Sequence, residues 1–146
     1  MAHGLAINDR GKGRAFLGGS GTGKSTMAKL WEGRERVAIL SDEHIVIKKN
    51  KGQYWLYGTP WPGMAETLSS EKVPLHQLFI IEHASENRVL EQGGIGDFFP
   101  QLFLPFWDRT RIDSVLRQCE DVFKTLGLKK LGFIKDESVV EFVRSL

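Results

Sequence analysis

The sequence predicts an α/β fold in which a phosphate-binding loop sits on a mixed sheet behind an early β-hairpin, with helices mainly in the C-terminal part. Three observations predict it. Residues 16–26, FLGGSGTGKST, contain the pattern G-x-x-x-x-G-K-[ST] as Gly18, Gly23, Lys24 and Ser25, whose glycines let consecutive backbone N–H groups face one anion. A strand-like run, residues 14–18, precedes this loop, and a helical run, residues 24–33, follows it with Gly33 as its stop. That helix would begin under the loop, adding its unpaired amides and the positive end of its dipole to an anion site. Finally, strands follow strands on both sides of this single early helix, which points to a mixed or antiparallel sheet, where the commonest phosphate-loop proteins alternate strand and helix.

The elements follow in order. Residues 3–8 (HGLAIN) have strand character, and residues 9–14 (DRGKGR) turn the chain back antiparallel into AFLG. After the first helix, residues 36–49 supply two apolar runs interrupted by Ser41, Asp42 and Glu43. The NKGQ turn then leads into a strand at residues 54–58. Residues 77–83 (QLFIIEH) read as a buried strand. Helical periodicity comes late: prolines at 100 and 105 break its first part, and Ile112, Val115, Leu116, Cys119, Val122 and Phe123 mark its second. A strand and a helix capped by Asp136 or Ser138 close the chain. Residues 58–63 (GTPWPG) hold two prolines around Trp61 and cannot be helical; they are either a rigid turn with Trp61 in the core, or a wall of a ligand pocket built by Thr59 and Trp61. The aromatic run at residues 98–108 reads as core or as an oligomer contact.

At 146 residues, 41% of them hydrophobic, the chain is expected to form one domain spanning 1–146. The net charge of +2 is not clustered, so nucleic-acid binding is not expected. One cysteine, Cys119, excludes an internal disulfide and fits a reducing compartment. Without a signal-peptide core or an apolar run of membrane-spanning length, the reading is a soluble, cytoplasmic protein without a membrane partner.

The loop itself, Gly19, Ser20, Gly21, Thr22, Gly23, Lys24, Ser25 and Thr26, is expected to bind a nucleotide's phosphates. Phosphoryl transfer is mostly positioning and charge neutralisation, so it calls for a divalent cation held by the loop hydroxyl and an acid at a strand end. Ser25 and Asp42 are the expected Mg²⁺ ligands. Hairpin geometry sets His3 beside the end of the partner strand, where Gly18 opens the loop, and there an imidazole could hold or relay a proton.

At these residues the chain resembles the catalytic domain of HPr kinase/phosphorylase and its relatives, themselves similar to the nucleotide half of ATP-dependent phosphoenolpyruvate carboxykinase. His3 and Gly4, the strand and turn after them, and GGSGTGKST stand in the family's order and at its spacing; SDEH, residues 41–44, looks like the metal segment. The resemblance covers the first half of the chain. It implies that the nucleotide is ATP or another nucleoside triphosphate, that Lys24 binds its β- and γ-phosphates, and that Asp42 or Glu43, with His3, activates an acceptor hydroxyl on a small molecule or a protein serine. Where the HPr kinases carry a Glu-x-x-Gly signature, this chain reads LYGTPWPG, which implies a small, divergent member. The function this suggests is a Mg²⁺-dependent kinase, possible as a homo-oligomer; the alternative is an ATP-sensing regulator with little catalytic activity. ATP hydrolysis or transfer that disappears in Lys24→Ala and Asp42→Asn separates the two.

Overall fold

The computed structural model describes residues 1–60, 69–104 and 107–146. Trp61, Pro62 and Gly63 of the proline-rich segment, and Pro105 and Phe106 of the aromatic run, lie outside the described residues. Among the described residues the elements run β1 (Ala2–Asp9), β2 (Lys12–Leu17), α1 (Lys24–Trp31), β3 (Val37–Ser41), β4 (His44–Asn50), β5 (Gln53–Tyr57), β6 (Lys72–His83), β7 (Arg88–Gln92), α2 (Ile95–Phe98), α3 (Arg109–Leu126), β8 (Lys129–Phe133) and α4 (Ser138–Ser145).

Two tight hairpins organise the first part. Strands β1 and β2 pair from Gly4↔Leu17 to Asp9↔Lys12, and the turn uses Arg10 at φ 55° and Gly11 at φ 85°. Positive φ at both central residues matches the right-handed twist of the flanking strands. Lys51 (φ 48°) and Gly52 (φ 82°) do the same between β4 and β5.

Two strands then divide their edges between different partners. Strand β1 pairs with β4 at Ala2 and His3 and with β3 from Ala6 to Asp9, where a bulge puts an extra residue, Leu40, into β3. Strand β6, 12 residues long, begins antiparallel to β5 at residues 72–74 and, from Leu75 on, runs parallel to β2, with a bulge after Leu75. Its last five residues are also parallel to β8. The circuit β2-β1-β4-β5-β6 therefore returns to β2 and closes.

This corrects the expected fold class. The chain does not form the expected P-loop α/β sheet of the carboxykinase and HPr kinase type; it forms a closed five-stranded barrel with β3, β7 and β8 added outside the ring. A bulge contributes: it adds one residue to β6 between Leu75 and Gln77, bending and twisting that strand where its partner changes from β5 to β2. Small interior residues assist: a side chain at Gly13 would meet the Pro74 carbonyl at 2.6 Å and Val73 at 2.8 Å.

Strand alternation sorts the apolar residues into two cores. Ala6, Ala15, Leu17, Ile45, Leu56, Val73 and Leu75 point to one side, where Cys119 and Val122 of α3 pack on them. Leu5, Ile7, Phe16, Phe79 and Ile81 point to the other, under Met27 and Trp31 of α1 and Val139, Val140 and Val143 of α4. In β6 the first core takes odd residues, 73 and 75, and then the even residue 78. The bulge after Leu75 accounts for the change of parity, because one extra residue flips every later side chain.

Helix α4 is fastened by a buried ionic cluster. Asp9 accepts hydrogen bonds from Arg14 and Arg144, and Arg14 also donates to the Val143 carbonyl at 3.2 Å. Both guanidinium groups lie against the Trp31 ring, 5.8 and 5.4 Å from its centroid, so the cations are paired on one side and stacked on the other.

Candidate functional site

The loop after β2 emerges at one end of the barrel because Leu17 is the last paired residue of that strand. Thr22 folds back on it, its hydroxyl donating to the Gly19 carbonyl at 2.9 Å. Gly23 follows at φ 102°, a left-handed conformation that glycine adopts without strain. This turn starts α1 at Lys24, so the helix's first amides and its dipole are directed at the loop.

A cleft of about 440 Å³ opens beside the loop, within the size range of small-ligand sites. Ser20, Gly21, Gly23, Lys24, Ser25 and Thr26 line one side of it. Lys24 is 8% exposed, and its ammonium donates to the carbonyls of Gly18 at 2.6 Å and Gly19 at 2.8 Å. Burial lowers its pKa from the ordinary lysine value, against the raising effect of Glu43.

His3, Asp42 and Glu43 line the same cleft. Strand pairing brings them there: His3 lies opposite His44 in the β1–β4 pair, and the Glu43 carbonyl accepts from the Gly4 amide at 3.0 Å. The His3 imidazole stands 3.4 Å from Glu43, Nε2 to Oε1. Burial, then the Lys24 charge, holds His3 below the ordinary histidine range despite Glu43. It is thus neutral at physiological pH, a form that can take a proton.

The turn carrying the two acids is braced from behind. Ser41 Oγ donates to the His44 carbonyl at 2.8 Å, and Thr59 Oγ1 lies 2.9 Å from that carbonyl and 3.0 Å from Ser41 Oγ. Thr59 is therefore a buried support of the Asp42–Glu43 turn, outside the lining of the cleft.

Ser25 and Asp42 share the cleft, and a hydroxyl with a carboxylate is an oxygen donor pair of the kind Mg²⁺ takes when phosphate and water complete its shell. Among the described residues no group of three or more His, Cys, Asp or Glu could hold a metal by itself. The fit is to a cation that arrives with phosphate.

Two lining residues, His83 and Lys135, escaped the sequence reading. His83 closes an apolar run and Lys135 follows another, positions that become informative only when β6 is known to lie between β2 and β8. In comparisons with known proteins, no family model and no curated protein matches this chain.

Among the described residues no helix is long and apolar enough to cross a membrane.

Proposed function

We propose that the protein binds the polyphosphate of a nucleoside triphosphate such as ATP in the loop of Gly19 to Thr26 and transfers the terminal phosphoryl group to a hydroxyl. What supports this reading is one cleft that holds a buried lysine, a helix N-terminus, a hydroxyl, two carboxylates and an imidazole. Backbone amides of the loop and α1 would bind phosphate oxygens, and the Lys24 ammonium would exchange its two carbonyl partners for the β- and γ-phosphates. Ser25 and Asp42 would hold Mg²⁺, which supplies neutralising charge on the phosphates when bound. His3, with Glu43 beside it, would accept the proton of the acceptor hydroxyl. The acceptor oxygen forms a bond to the γ-phosphorus as the bridge to the β-phosphate breaks, and the nucleoside diphosphate leaves with that electron pair.

The test is thermal unfolding with and without ATP and Mg²⁺. A ligand that binds only the folded state raises Tm by mass action, and Lys24→Ala should remove most of the rise. A full rise retained in Lys24→Ala refutes the reading. Binding without hydrolysis or transfer to any acceptor would instead favour the ATP-sensing regulator.

A further inference from the structure

Strand β6 is parallel to both β2 and β8, so the carboxyl ends of all three strands lie side by side. The phosphate loop leaves the first, His83 ends the second, and Lys135 follows the third by two residues. This gives the cleft two flanks of opposite chemistry. Asp42 and Glu43 stand on the β1 and β3 side, whereas His83 and Lys135 stand on the β6 and β8 side. The phosphoryl transfer described above uses only the first.

The second flank is built against the loop. The His83 ring packs on Phe133 with centroids 5.1 Å apart. Its far edge meets Gly23 so closely that a side chain there would lie 2.5 Å from Cε1 and 3.0 Å from Nε2. Lys135 is exposed on the connection from β8 to α4, and among the described residues it makes no ion pair. Burial, then the Lys135 charge, holds His83 below the ordinary histidine range, so a neutral ring with one N–H to donate stands beside a lysine cation. A cation and a donor facing a cleft, with their acids across it, favour an oxyanion between them.

We propose that His83 and Lys135 form an oxyanion subsite that takes a phosphate group beside the loop. The subsite rests on the phosphate-loop reading and supplies its second wall. The phosphate belongs either to the nucleotide's own chain or to a second, anionic ligand, and the chemistry of recognition is the same.

Calorimetric titration tests it with inorganic tripolyphosphate on the free protein and with inorganic phosphate on protein loaded with ADP and Mg²⁺. Lys135→Ala should weaken one of them about fivefold or more, as loss of one charge-assisted contact does. Loss in tripolyphosphate affinity assigns the subsite to the nucleotide chain; loss confined to inorganic phosphate assigns it to a second ligand. Lys135→Arg should restore binding. Lys12→Ala, which removes the same charge at the far end of β2, should leave both affinities unchanged. The subsite is refuted if Lys135→Ala changes neither titration while Lys24→Ala abolishes tripolyphosphate binding, or if Lys12→Ala weakens binding equally. If Lys24→Ala itself leaves tripolyphosphate binding intact, the phosphate-loop reading falls and the subsite falls with it.

Discussion

Replacing Gly23 with alanine asks whether the loop is packed directly on the His83 and Phe133 rings at the strand ends. Two costs add. The residue sits at φ 102°, where an L side chain costs about 1–2 kcal/mol. Its new Cβ would also lie 2.5 Å from His83 Cε1 and 2.7 Å from Phe133 Cζ. His83 can yield by rotating, but Phe133 is fully buried, and overpacking a filled region costs about 1–3 kcal/mol. The expected loss is about 2–5 kcal/mol, a fall in Tm of about 4–20 °C for a chain of this size. Gly21→Ala is the internal control, because Gly21 also has positive φ, 81°, but open space around it. It should lose only the backbone part, about 1–2 kcal/mol. Urea unfolding of the two variants and the parent measures the difference. Equal losses in both would refute the close packing of Gly23 on Phe133 and His83 and remove the geometric basis of the second flank.

Other outcomes follow from the same geometry. Asp9→Asn leaves Arg14 and Arg144 without their buried counter-charge and should cost about 3–5 kcal/mol in urea unfolding. In the parent, burial raises the Asp9 pKa, but the bonds and charges of the two arginines outweigh it and the net shift is downward. This carboxylate's stabilisation is therefore present above the unfolded-state value near 3.8 and is lost as pH falls through its lower folded value; a stability profile in which Asp9→Asn matches the parent above pH 5 contradicts the cluster. His3→Ala should lower turnover about a hundredfold or more while leaving ATP affinity within a few-fold, since a proton acceptor acts in the transition state. With the His3 pKa lowered by burial and Lys24, the acid limb of the parent's rate profile should fall below 6.5, and an unchanged limb in His3→Ala would exclude the role. Asp42→Asn should weaken nucleotide binding in the presence of Mg²⁺ and leave binding of nucleotide alone nearly unchanged; equal weakening in both conditions would argue against its metal role.

Local chemistry made part of this protein legible without coordinates. The turns around Gly11 and Gly52, the apolar runs of β1 and β2, and the Lys24 start of α1 are decided by residues within a few positions of one another, so the local sequence reveals them. His3 could be set beside the loop because an antiparallel hairpin returns the end of its second strand to the start of its first. Closure of the barrel is different. It depends on which edge of β6 meets β2, and on the bulge after Leu75 where β6 passes from one partner to the next; strand propensity is the same whichever edge is paired. For that reason the expected P-loop α/β sheet was not found although the strands themselves were visible. His83 and Lys135 were hidden for the same cause: they are 65 and 117 residues beyond Gly18, and only the parallel pairing of β6 with β2 and β8 brings their strand ends to the loop.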